Sequence, residues 1–553
     1  MVTLPPKVRK ALVDKMSREM EDTRKATESA AAAAPPRTGW QPPFLGPLIT
    51  THAALLHTGK VVFIAGSTTD LRLFEQTCPN PGITQITSCP ADPNDTTVCP
   101  PWGLANSCAV WDPVKGTFSR PIVPLDNSGK TLDLFCVGHS FLPDGRLLAG
   151  GGTSGYAPDR GLSSTLVFDP KTERWTKVAS MNSGRWYPTF VTMGNGRVFC
   201  MTGINNQGND VDFNPEVFSR SGWTSFSKAT SKFPTYAQLF LLKNGSLFYS
   251  GASFNENGVV TPRILTLPDS FSKQIKEVEV PGLYADPNHL DPENPADQRN
   301  HATSLLLPPA QDQRVMIIGG GSKYTYGGKT TDSVYIADLK GPYAPVYRRV
   351  QSLSNPRMHV NAVIMPDRTV FVCNGSIVGE DTSLALLRAE IFNPATNTWT
   401  VTDAQGVPHV YHSMAILLPD GSIATGGGTP AAACNELRMQ IYRPAYMSQV
   451  RPVIEQSPRA TNYGESFSIR TSQAKNIKWV NLMRPSAQTH SCDTEQRLVD
   501  LPITSATGSS IRVAVTSNPN LAPPGWYMLT ITDGNNVPSV ASWIHLVAEG
   551  EEE

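Results

Sequence analysis

The sequence predicts an all-β chain: a seven-bladed β-propeller over residues 41–447, followed by an immunoglobulin-like β-sandwich over residues 448–548. Three observations predict it. Seven segments repeat one design of apolar strand, tight turn, second apolar strand and small-residue stop. Several are followed by a strand of the form aromatic-(Asp/Asn)-Pro…Trp, as in "VFDPKTERW" ending at Trp175 and "IFNPATNTW" ending at Trp399. Past residue 450 the pattern becomes short alternating strands joined by polar turns.

The elements follow in order. Residues 1–40 read as a helical or disordered N-terminal extension, either dispensable or a partner-binding or packing helix, whose polar helix passes through Pro35-Pro36 into a new region. The seven repeats start at Ala53, Gly138, Tyr187, Tyr236, His301, His359 and Tyr411. Their "DG", "NG" and "TG" turns suit tight hairpins, and repeats of this length read as four-stranded blades. An insertion at 68–109 separates the first two blades and holds Cys78, Cys89, Cys99 and Cys108. The spacing lacks a zinc-site pairing, so two disulfides in an oxidising, extracellular or cell-envelope compartment are expected. The N-terminus has no apolar signal-peptide core, which conflicts with that compartment; a mature chain, another export route or reduced thiols would each account for it. Strands such as "SFSIRTS" and "WYMLTIT" build the sandwich, and residues 549–553 form an acidic tail.

Composition excludes some functions. The 47 basic and 47 acidic residues cancel, against a nucleic-acid partner. No apolar run is long enough to span a membrane.

The turn glycine serves as a ruler. Nine positions before Gly145, Gly196, Gly245 and Gly421 stand Cys136, Tyr187, Tyr236 and His412, with Tyr411 beside the last. Arg368 fills the glycine slot of the sixth repeat and points back to His359. The first blade gives Thr50, and the fifth starts near His301. Innermost strands of a propeller run along its axis, so these residues should ring one mouth of the channel. A structural ring would be Val, Ser, Ala or Gly. Sulfur, phenol and imidazole together suit a redox metal, copper above all. Taken singly, Cys136 could be a small buried hydrophobe and Tyr187 a rim aromatic.

At these residues the chain resembles the copper radical oxidases, the family of galactose oxidase and glyoxal oxidase, across residues 45–548. "DLFCVGHSFLPDGRLLAGGG" resembles the segment with the cross-linking cysteine, Cys136. "GRWYPTF" resembles that of the radical tyrosine, Tyr187, and "VYHSMAILLPDG" supplies an axial Tyr411 and an equatorial His412. "QTHSCDTEQRLVDLP" resembles the hairpin that brings the second histidine, His490.

The resemblance implies a Kelch-like propeller with an early-set sandwich. It implies one copper held by Tyr187, Tyr411, His412 and His490, and a Cys136–Tyr187 thioether radical. Tyr411 would be the general base. The substrate would be a small aldehyde or primary alcohol, with dioxygen reduced to hydrogen peroxide and a peroxidase as a natural consumer. In galactose oxidase a tryptophan stacks on the cross-linked tyrosine. An ungapped count puts Asn205 in that slot, and the "RWY" triplet is closer to glyoxal oxidases. A more open, polar shell over Tyr187 is therefore expected. His359 and Tyr236 could hydrogen-bond a substrate diol, and Lys232 aligns loosely with a substrate-binding arginine. Two other readings compete: a propeller scaffold binding a glycan or protein, and a metal enzyme without the cross-link.

Overall fold

Turn chemistry sets the blades. The turn residue of these hairpins needs a positive φ, which glycine supplies without a Cβ clash. In the computed structural model of this chain, Gly145, Gly196, Gly245 and Gly421 take φ of 86°, 76°, 85° and 89°. The structure describes residues 38–65 and 108–547, apart from 130, 157, 253, 255–260, 284–298, 322–329, 342–343 and 430–435. The expected N-terminal helix, Cys78, Cys89, Cys99 and the acidic tail lie outside the described residues.

Arg368 holds the glycine slot of the sixth repeat with φ 68°. A non-glycine residue there costs roughly 1–2 kcal/mol. Its guanidinium donates to Asn481 Oδ1 at 2.9 Å, pairs with Asp500 and lies 4.2 Å over the Trp479 ring. All three partners belong to the sandwich, so this turn docks the second domain.

Among the described residues seven sheets form the propeller, each antiparallel from its axial strand outward. The axial strands are His52–Leu55, Asp133–Phe141, Thr189–Thr192, Leu239–Leu241, Thr303–Leu306, Asn361–Ile364 and Ser413–Leu417, in blades one to seven. Each is almost wholly buried, as expected of strands covered on both faces. The ring is closed by the start of the chain: Gly39–Trp40 and Phe44–Leu45 pair with Arg438–Arg443 of blade seven. Residues 39 and 40 thus belong to the propeller, not to the extension expected over 1–40. Likewise Cys108–Asp112 is a strand of blade one rather than the end of an insertion.

Cys108 is buried with a free thiol, which corrects its part in the expected disulfides. The reason is packing: Trp175 Nε1 of blade two donates to its Sγ at 3.4 Å, and burial pushes the thiol pKa up to about 12.

The C-terminal domain is a sandwich of two sheets. One carries Ala460–Thr461, Ile477–Arg484, Arg497–Asp500, Gly525–Asp533 and Ser542–Leu546; the other carries Ser466–Arg470, Ile503–Thr507 and Ser510–Ala514. Ile469, Val480, Leu482, Tyr527 and Leu529 fill its core, which is continuous with Phe240, Leu306 and Ile317 of the propeller. A hairpin, Ala487–Thr489 and Cys492–Asp493, leaves the sandwich and pairs with His52–Leu55. It adds two strands to the axial edge of blade one. At its root Arg484 and Glu495 form a buried ion pair. Among the described residues the only helical pieces are short 3-10 turns, and no helix is long and apolar enough to cross a membrane.

Candidate metal centre at the mouth of the ring

The ruler residues share one backbone conformation. Cys136, Tyr187, Tyr236, His301, His359 and His412 have φ of 66°, 66°, 44°, 54°, 59° and 65°. His490, at the tip of the sandwich hairpin, has φ 48°. Left-handed φ in bulky residues is rare and strained. Here it recurs at or just before the axial strands of blades two to seven, and it breaks strand alternation. The ring of a left-handed residue then falls over that of its predecessor. Tyr411 and His412 stack with centroids 3.7 Å apart, and Trp186 and Tyr187 with centroids 3.6 Å apart.

Tyr187, Tyr411, His412 and His490 come together. The Tyr187 and Tyr411 hydroxyls lie 2.7 Å apart. His490 Nε2 is 3.1 Å from the Tyr187 hydroxyl. The rings of His412 and His490 are 4.5 Å apart and nearly perpendicular. Cys136 and Tyr187 pack in one buried cluster, and Tyr187 N donates to Cys136 O at 3.0 Å.

Hydroxyls orient both imidazoles. Thr489 Oγ1 donates to Thr51 O at 3.1 Å and lies 2.5 Å from His490 Nδ1. With its proton so placed, Thr489 accepts from Nδ1–H, and the Nε2 lone pair of His490 faces Tyr187. His412 Nδ1 lies 2.8 Å from Thr429 Oγ1, while its buried Nε2 has no partner among the described residues.

Burial, then the neighbouring His359, lowers the His412 pKa to about 3. Burial, then His412, holds that of His490 well below the ordinary value. Both rings are thus neutral and offer lone pairs. Burial, then Cys136, pushes the Tyr187 phenol up.

This donor set fits a copper ion: two oriented neutral imidazoles, one with an unpartnered buried nitrogen, and two converging phenols. No group of three or more His, Cys, Asp or Glu side chains among the described residues could hold a metal.

The surrounding residues differ in part from expectation. Asn205 does not open the space over Tyr187. Its Oδ1 accepts from Gln207 and Gly208 N–H at 3.1 and 2.9 Å, inside its own turn. Trp186 covers Tyr187 instead, at 10° from parallel, with its Nε1 donating to Thr153 Oγ1 at 3.1 Å. Tyr236 stacks at 4.6 Å and 23°. Two near-parallel rings this close cannot share one face, so Tyr187 lies between Trp186 and Tyr236. The Tyr236 hydroxyl donates to Val137 O at 2.8 Å, which makes it a packing residue. Lys232 is exposed, unlike this buried group.

Thr50 is buried but is not among the left-handed residues. Blade one contributes His52, whose Nε2 accepts from Cys136 N–H at 3.2 Å. Phe254, also missed, meets Tyr187 edge-on at 4.8 Å.

The left-handed residues have a buried brace that sequence reasoning overlooked. Arg185, Arg299 and Arg357 each precede one by two positions. Each donates to the carbonyl at the end of its blade's second strand: Thr202 at 2.8 Å, Gly319 at 3.0 Å and Asn374 at 3.2 Å. Arg185 and Arg357 also pair with buried Glu216 and Glu390. The recurring Arg-x-(Tyr/His) spacing was the available signal.

Residues 451–546 match the family described as galactose oxidase-like, early set domain, and residues 143–182 match the Kelch motif. A galactose oxidase from Gibberella zeae is 27% identical over 464 residues, 79% of this chain and 63% of that protein. An aldehyde oxidase, GLOX, from Vitis pseudoreticulata is 27% identical over 460 residues, 75% of this chain and 82% of that protein. The fold matches a fungal alcohol oxidase of the AA5 family, solved in complex with copper. Its TM-score is 0.72 at 22% identity, covering 93% of this chain and all of that one.

Proposed function

The chain belongs to the copper radical oxidase family, and from that premise we propose that it oxidises small aldehydes, taken as their hydrates, or primary alcohols. Dioxygen accepts the two hydrogens and leaves as hydrogen peroxide. One observation carries the reading: the Tyr187 hydroxyl lies 2.7 Å from that of Tyr411 and 3.1 Å from His490 Nε2, and the His412 ring, stacked on Tyr411, has an Nε2 with no partner among the described residues. Copper held by Tyr187, Tyr411, His412 and His490 would supply a one-electron couple and a positive centre for a substrate hydroxyl.

The side chains carry the rest. Tyr411 Oη takes the proton of the substrate hydroxyl. Tyr187, joined to Cys136 by a carbon–sulfur bond, holds the second oxidising equivalent that a two-electron oxidation needs. That bond forms with loss of the thiol hydrogen and one ring hydrogen to dioxygen. Trp186 and Tyr236 cover both faces of the Tyr187 ring, and Phe254 closes its edge. Together they keep water and external reductants away from it. Such a close apolar lining suits a small substrate better than a sugar ring.

A peroxidase-coupled assay on protein of measured copper content tests this. Glyoxal, methylglyoxal and glycolaldehyde should yield peroxide faster than galactose. A preference for galactose would overturn the substrate assignment, and no peroxide from any aldehyde or alcohol would overturn the oxidase.

A further inference from the structure

Blades five and six bring two histidines to the mouth that the copper set leaves unused. We propose that His301 and His359 clamp the second hydroxyl of a gem-diol, so that the site takes hydrated aldehydes in preference to primary alcohols. This rests on the oxidase reading above and deepens it.

The two rings lie 4.2 Å apart. Both face Tyr411, with centroids at 5.5 Å for His301 and 5.3 Å for His359. His359 N–H donates to His301 O at 2.9 Å, which ties the two segments together. Both residues are left-handed and buried, so their rings are held rather than free to swing. His359 Nε2 is buried and has no partner among the described residues. Phe254 packs on His301 at 4.3 Å and stacks on Tyr411 at 5.7 Å, giving the space an apolar wall.

A buried polar atom without a partner is costly, and a site rarely keeps one unless a ligand completes it. A substrate hydroxyl that gives its proton to Tyr411 must stand beside these imidazoles. On a gem-diol the second hydroxyl is borne by the same carbon, so it cannot stray far from the first. It meets an imidazole nitrogen, which either accepts from it or donates to it. A primary alcohol puts hydrogen there and leaves His359 Nε2 unpaired. Sites built to bond a hydroxyl reject analogues lacking it far more strongly than apolar pockets reject a missing methylene.

The test compares trifluoroacetaldehyde hydrate with trifluoroethanol, which differ by one hydroxyl. Affinities are read by fluorine NMR on copper-loaded protein, reduced and kept under nitrogen so that no turnover occurs. Wild type should bind the hydrate at least about tenfold more tightly. His359→Leu should bring that ratio close to one, and His359→Gln, which keeps a donor and an acceptor, should restore part of it. Copper content should be unchanged in both. A ratio near one in wild type overturns the clamp whether or not the variants fold. An unchanged ratio in folded His359→Leu also overturns it. Peroxide formation from glyoxal is read separately: peroxide with a ratio near one removes the clamp alone, whereas no peroxide removes the oxidase reading.

Discussion

Trp186 lies flat against Tyr187, its own neighbour in sequence, with ring planes 10° apart and centroids at 3.6 Å. Neighbours on a strand point to opposite faces, and the positive φ of Tyr187 is what brings them to one side. Removing the indole should expose the ring to which the proposed mechanism assigns the radical. In Trp186→Leu the oxidised protein should lose its tyrosyl signal at least about tenfold faster, because stacking of this kind is worth about 0.5–1.5 kcal/mol beyond burial and also excludes reductants. The radical's visible absorption followed over time reads the decay, and an unchanged lifetime would separate Trp186 from radical protection.

Cys136 and Tyr187 should become one covalent unit. After aerobic copper loading, peptide mapping should recover their two peptides joined, with the mass lower by two hydrogens. Cys136→Ser should stay unlinked and lose nearly all oxidase activity while still binding copper. Separate, unmodified peptides in active protein would remove the radical mechanism.

His412 comes from the propeller and His490 from the sandwich hairpin, so the metal should tie the two domains. A ligand bound only by the native state raises stability by mass action, about 2.7 kcal/mol at a hundredfold excess over Kd. Copper should therefore raise the Tm of wild type by several degrees and that of His490→Ala far less. Equal shifts would take His490 out of the site.

Glu380 predicts a pH dependence of stability. Partial burial alone raises its carboxyl from 4.5 to about 7. Between those values the folded chain binds the proton and the unfolded chain does not, so stability falls as pH rises through this window. Glu380→Gln should be more stable than wild type above pH 7, by up to about 3 kcal/mol, and no more stable below pH 4. A thermal melt series over pH checks it; a constant difference at all pH values would contradict it.

Much of this architecture was legible because its signals are periodic. The glycine turns fixed a ruler, and six of the residues it marked, Cys136, Tyr187, Tyr236, His301, His359 and His412, proved left-handed. His490 could be placed only through resemblance, since no periodicity links a sandwich hairpin to a propeller axis. The covering of Tyr187 was misjudged for a physical reason. Strand alternation sends Trp186 away from its neighbour, and nothing in the letters announces a left-handed tyrosine. Thr50 failed as an axial residue because blade one is paired on its axial edge by Ala487–Thr489. That places His52, not Thr50, against Cys136. The ends expected at residues 40 and 109 erred because edge strands as short as Gly39–Trp40 carry almost no pattern.

The closure of blade seven by Gly39–Trp40 and Phe44–Leu45 has a consequence in time. Synthesis runs from the N-terminus, so the first strand of the ring must wait for its partner, Arg438–Arg443, before the circle can shut. Cys136 and Tyr187 are made early, whereas His412 and His490 emerge late. A nascent chain that has not reached His490 therefore cannot present all four donors. Under the proposed assignment, the Cys136–Tyr187 pair would stay without its full metal-binding partners until the molecule is nearly complete, and oxidative chemistry would belong to the finished chain.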